Sequence, residues 1–132
     1  MTGSASEALA ARAVAALGAV EGLAVYDGPP VQAAAAYAVV ETGPESDWGH
    51  KSGAGRELRL AATVWDKGER PGRLRALAAA AEAALGGLEG EGGGWSIVTM
   101  HFLRSRTVAP RKGSPDGLWA VGLEFRARML AG

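Results

Sequence analysis

The sequence predicts an α+β fold: a two-layer sandwich in which a mainly antiparallel sheet of four to five strands carries two helices on one face. Three observations predict it. "SASEALAARAVAAL" (residues 4–17) and "RPGRLRALAAAAEAAL" (70–85) repeat apolar residues at helical spacing. "RELRLAATVW" (56–65) and "LWAVGLEFRARM" (118–129) alternate apolar and polar residues with the period of a strand. The segments between neighbouring strands are short, which favours antiparallel neighbours and leaves the helices to cover one face.

In chain order, the first helix begins near Ser4. Ser4 and Glu7 have capping-box spacing, and Leu9, Ala13, Ala16, Leu17 and Val20 then share a face. Leu23–Tyr26 is a short strand candidate, stopped by Asp27-Gly28-Pro29-Pro30. The alanines of "AAAAYAVVETG" favour a helix, but Tyr37-Ala38-Val39-Val40 tips the segment toward strand. In residues 56–65, Leu58, Leu60, Ala62 and Val64 face one way and Glu57, Arg59, Ala61, Thr63 and Trp65 the other. Between these two strands lies "SDWGHKSGAGRE" (46–57), expected to be a flexible hairpin connection longer than a tight turn. Pro71 suits the first turn of the second helix, which buries Leu74, Leu77, Ala78, Ala81 and Leu85. Gly86-Gly87 ends it, and "EGEGGG" reads as a loose polar loop. Two strands close the chain: a long mixed one over Trp95–Thr107 and a sharply alternating one over Leu118–Met129. The turn-rich basic loop "VAPRKGSPDG" joins them.

The chain has 132 residues, which fits one domain with a real core. It has no cysteine, which excludes disulfides, thiolate nucleophiles and thiolate metal sites. The 14 basic and 14 acidic groups cancel, but residues 1–55 carry a charge of −4 and the remainder +4. That division suits self-association through complementary faces. No apolar run approaches the ~20 residues of a membrane span, so no membrane partner is expected.

The sequence holds no strong catalytic or ligand-binding signature. His50 and Asp47 could supply two metal ligands, with no third signposted, and His101 lies within a strand. Ser52 is two residues from His50, which keeps a small hydrolase built on His50, Asp47 and Ser52 as a rival reading. No GxSxG elbow is present, and neither "GAG" nor "GEGGGW" continues into GK[ST]. Arg104, Arg106, Arg111 and Lys112 could contact phosphates, which keeps a nucleic-acid-binding module as a second rival. Against it stand zero net charge and the lack of interleaved aromatic platforms. The uncovered sheet face, by contrast, is expected to mix charge with Ala61, Thr63, Trp65, Thr99 and Leu103, and apolar groups on a bare sheet mark a partner surface.

The order of segments supplies a further clue. "VYDGPP", then "AYAVVETGPESDWGHKSGAGRELRLAATVWD", then "RPGRLRALAAAAEAAL", then "FLRSRTVAPRKGSPDGLWAVGLEFRARM" resembles the phage tail-completion, or tail terminator, family. That family occurs in tailed phages, prophages and gene transfer agents. The resemblance spans roughly residues 5 to 130. Its most specific parts are the turn at Tyr26–Pro30, the segment from Asp47-Trp48 to Arg56 leading into Leu58–Trp65, and Arg104–Thr107. It implies a structural virion protein with no catalytic residues and no cofactor. It further implies a homo-oligomeric ring, usually a hexamer, that caps the tail tube and joins it to the head–tail connector. The partners implied are the tail tube protein and the connector proteins, with DNA passing through the lumen without specific binding. The alternative within the same setting is another neck component, a stopper or an adaptor. Trp48, Lys51, Arg56, Trp65, Arg104, Arg106, Arg111 and Lys112 are the expected assembly-interface residues. Trp48 is expected to anchor the 46–57 segment on a neighbouring component, its glycines letting it order on assembly.

Overall fold

The computed structural model describes residues 3–113 and 117–132. The elements run α1 (Ala5–Gly18), β1 (Ala24–Asp27), β2 (Tyr37–Asp47), β3 (Gly55–Lys67), α2 (Gly72–Gly86), β4 (Gly90–Gly92), β5 (Trp95–Val108) and β6 (Leu118–Ala131). They form one sheet in the order β1-β2-β3-β6-β5-β4, with both helices packed on its buried side. The α+β class and the helix-covered sheet therefore hold. Residues 114–116 of the basic loop lie outside the described residues.

The helix starts follow from local chemistry. Ser4 has extended backbone, and its Oγ accepts a hydrogen bond from the Glu7 amide at 3.0 Å, satisfying one of the orphan donors of α1. Leu9, Ala13 and Leu17 face the sheet and are fully buried. Pro71 stands at the N-cap of α2, and Leu74, Ala78, Ala81 and Leu85 carry its buried face. Against these helices pack Leu58, Leu60, Ala62 and Val64 of β3 and Leu123, Phe125, Ala127 and Met129 of β6. The alternation of both strands thus assigns their faces correctly.

Two strand expectations are corrected. The sheet has six strands, not four to five, and it is mixed, because β1 pairs parallel to β2. A parallel neighbour ordinarily needs a helical crossover, but here the nine residues 28–36 make the connection without one. The "EGEGGG" segment is not a loose loop. Gly90–Gly92 forms β4 against Trp95–Ile97, and Gly93 and Gly94 turn between them at φ +66° and +85°, values that glycine adopts without steric cost. The Arg12 guanidinium of α1 donates to the carbonyls of Glu89 and Gly90 at 2.6 and 2.7 Å, clamping this short hairpin to the helix. A three-residue Gly-Glu-Gly strand carries no apolar pattern by which it could be read.

A buried carboxylate fixes α2 against the sheet. Asp66, at the end of β3, is 2 % exposed. It accepts hydrogen bonds from Arg73 Nε at 2.7 Å, from Arg73 Nη2, and from the Lys67 amide at 2.9 Å. The Arg73 hydrogen bonds hold its pKa below the ordinary value of 3.8; burial opposes this and the Lys67 amide adds to it. A carboxyl group with a depressed folded-state pKa stabilises above the unfolded value, and that stabilisation disappears as pH falls through the folded one. Asp66→Ala is expected to cost about 1–2 kcal/mol at neutral pH. The difference from wild type should narrow below about pH 4, where the unfolded carboxyl protonates. Urea denaturation of both proteins at neutral and acid pH checks this.

Candidate assembly surface

The sheet face away from the helices carries one polar and one apolar zone. Register places Glu57, Arg59, Ala61, Thr63 and Trp65 of β3 beside Arg128, Arg126, Glu124, Gly122 and Ala120 of β6. Thr99, His101, Arg104, Arg106 and Val108 of β5 continue those rows. At one end the rows are charged. Arg128 Nε donates to Glu57 Oε1 at 2.9 Å, with Arg126 Nε 3.9 Å from the same oxygen. In the middle row, where the charged zone meets the apolar one, Arg104 donates twice to Glu124, at 3.0 and 3.1 Å. This bidentate pair draws the Glu124 pKa below its ordinary value and raises that of Arg104.

At the other end the rows are aromatic and small. Trp65 stacks on Tyr37 with ring centres 6.2 Å apart and planes 18° apart, and Tyr26 meets Tyr37 edge-on at 6.2 Å. Beside them Ala61, Thr63, Ala120 and Gly122 form a shallow floor. A concavity of about 790 Å³ opens over that floor, walled by Trp65, Arg104, Arg106, Val108 and Arg111. Val31, on the neighbouring connection, is fully exposed. The concavity thus joins an apolar floor to a guanidinium wall on a sheet face that no helix covers.

The eight residues singled out from the sequence fall into two groups at opposite ends of the sheet. Trp65, Arg104, Arg106 and Arg111 meet around the concavity, and Lys112 is exposed in the adjoining turn. Trp48, Lys51 and Arg56 belong to the β2–β3 hairpin. There the expected slack connection is replaced by a hairpin closed by its own backbone. Trp48 N–H donates to Gly55 O at 2.9 Å, and His50 and Gly53 exchange bonds of 2.8 and 3.1 Å around Lys51-Ser52. Trp48 is half-buried; its ring meets His50 edge-on at 4.8 Å, and the Arg128 guanidinium lies 5.7 Å from its centre. Part of its surface is therefore engaged within its own chain. Arg56 lies in the row of Asp47 and Met129, on the helix side, 3.6 Å from Glu45. Leu103, expected on the open face, sits at a register shift between Phe102 and Arg104.

Tyr26 and Tyr37 were not singled out. Their contact with Trp65 depends on the parallel β1–β2 pairing, which no local pattern announces. Glu57, Glu124, Arg126 and Arg128 were readable as the polar side of alternating strands, but their mutual pairing needed the register.

The surface these residues form is a bare sheet face with paired charge, an aromatic cluster and a closed hairpin. The model of the tail completion protein gp17 family matches residues 7–130. The chain belongs to that family, as its order of segments implied, and is a structural component of a phage-type tail and not an enzyme. Among solved structures, a chain from the virion of a native gene transfer agent particle is 29% identical, with a TM-score of 0.73, over 98% of this chain and 100% of that one. No curated protein matches the sequence.

Proposed function

We propose that this protein is a tail terminator: copies of it, six in the family-derived reading, form a ring that caps the tail tube and joins it to the head–tail connector. The observation that carries this reading is the full-length similarity to a chain of an intact gene transfer agent virion, within a family of tail completion proteins. The surface supports it. A ring needs two different patches on each subunit that meet head to tail, and the chain offers chemically distinct ones. The concavity around Trp65 and Arg106 and the hairpin carrying Trp48 and Lys51 lie at opposite ends of the sheet, so one subunit can meet components above and below it. DNA passes the lumen without specific binding, and Arg104, Arg106, Arg111 and Lys112 serve protein contacts.

The test is removal of this chain from the particle-producing host, followed by electron microscopy. Heads and tails should accumulate unjoined, and restored particles should show the chain as a ring at the head-proximal end of the tail. Joined, infectious or gene-transferring particles in its absence refute the reading. Location at another level of the neck favours a stopper or adaptor.

A further inference from the structure

The sheet ends in two uncovered edges of opposite charge. β1 pairs with β2 only through Val40, so Glu41–Asp47 presents a free outer edge. β4 pairs with β5 only through Ile97, so Val98–Val108 presents another. The first edge carries Glu41, Glu45 and Asp47 and no basic residue, and the second carries Arg104 and Arg106 and no acidic one. Glu45 and Arg104 already have partners in Arg56 and Glu124, which leaves exposed Glu41, Asp47 and Arg106 to carry the attraction. Unpaired strand edges can bind other strands through main-chain hydrogen bonds, so two such edges of opposite charge on one molecule are complementary docking sites.

Resting on the ring reading above, we infer that the occupant is a second copy of this chain. The acidic edge of β2 in one copy lies antiparallel along the basic edge of β5 in the next. Direction permits it. β2, β3, β6 and β5 are antiparallel in succession, so β2 and β5 run oppositely, and a head-to-tail repeat brings them together as an antiparallel pair. Height permits it as well. Register carries Glu41 through Ala61 and Glu124 to Arg104, and Ser46 through Glu57 and Arg128 to Thr99, so the stretches 41–46 and 99–104 occupy the same levels of the sheet. Three of the four large apolar side chains exposed among the described residues, Val98, Phe102 and Val108, also lie on β5.

The same features select against other pairings. β5 against β5 sets Arg104 and Arg106 near their own copies, and β2 against β2 does the same for Glu41 and Asp47; like charges across a strand pair are destabilising. Register shifts between Thr42 and Glu45 and within β5, together with Pro44, which has no N–H, prevent a long flat ladder. Pairing is confined to short runs on twisted edges, which suits a closed ring better than an open fibre.

The cysteine-free sequence makes the test clean. Ser46→Cys and Thr99→Cys, which share a level and a face by this register, place one thiol on each edge. Within one chain these strands are three strand spacings apart, about 14 Å, beyond the reach of a disulfide. Particles carrying the double variant are treated with oxidant or a short bis-maleimide. Covalent oligomers of this chain are expected from the double variant and none from either single one. Arg106→Glu should lower the cross-linked yield about tenfold, and Glu41→Arg added to it should restore the yield. Cross-links from a single variant, or none from the double variant in particles that hold several copies, overturn the edge pairing and leave the ring reading standing. A chain present once per particle, or absent from the tail, overturns both.

Discussion

Phe125→Ala should remove about 3–5 kcal/mol of folding stability, the cost of emptying a large aromatic site in a rigid core. Phe125 is fully buried on β6, in the row between Leu60 of β3 and Phe102 of β5. Its ring meets that of Phe102 edge-on, with centres 5.5 Å apart and planes at 68°. These are the only two phenylalanines in the chain. Strands on both sides of β6 are held by ladders and cannot move in to fill the void, so collapse is limited. Set against a typical total of about 5–15 kcal/mol, the loss is a large part of the whole, and the midpoint of thermal unfolding should fall by on the order of 10 °C. Phe102→Ala provides the comparison. Phe102 is 38 % exposed, so its removal should cost much less. Urea denaturation of both variants checks the ranking, and a smaller loss at Phe125 than at Phe102 would falsify this description of the core.

The second large effect concerns a glycine. A Cβ on Gly55 would sit on the carbonyl oxygen of Trp48 and 2.9 Å from Cδ2 of Leu130. The first of these is backbone, pinned by the Trp48–Gly55 hydrogen bond, and the Ala131 amide holds Ala54 O at 2.9 Å from the other side. The Leu130 side chain can turn aside, but the Trp48 carbonyl cannot yield without opening the hairpin. Gly55→Ala is therefore expected to cost about 2–3 kcal/mol by overpacking. It should also make the hairpin connection at residues 48–54 the first site of limited proteolysis. Gly53→Ala is the control: nothing lies within 4 Å of the added carbon, and stability should be nearly unchanged. Equal losses at the two positions would show that the constraint is not contact with Trp48.

Legibility in the sequence followed the range of the interactions involved. The capping of α1 by Ser4, the buried stripe Leu74, Ala78, Ala81 and Leu85, and the alternation of Leu58–Val64 and Leu123–Ala127 are local, and each was readable. The parallel partnership of β1 with β2 was not, because four residues followed by two prolines say nothing about which strand they join. β4 was not legible because Gly-Glu-Gly has no apolar side chain with which to signal a face. For the candidate surface, Trp65 was identifiable as an apolar residue on an uncovered sheet, and the β5 arginines as a basic run. Their partners Tyr37 and Glu124 became visible only through register. The hairpin at 46–57 looked slack because three glycines suggest freedom. At Gly55 the small residue instead answers to close contact between backbones.

The β3–β6 ladder has a mechanical consequence. Thirteen consecutive residue pairs, Gly55↔Leu130 to Lys67↔Leu118, join the two strands without a register shift. The run is roughly 40 Å long at the usual rise per residue. Force applied along these strands loads all the rungs in shear at once, whereas force applied across them peels the rungs one by one. The subunit is therefore a stiff strut in one direction and a zipper in the other. How that axis is set in the particle decides which of the two it is under load.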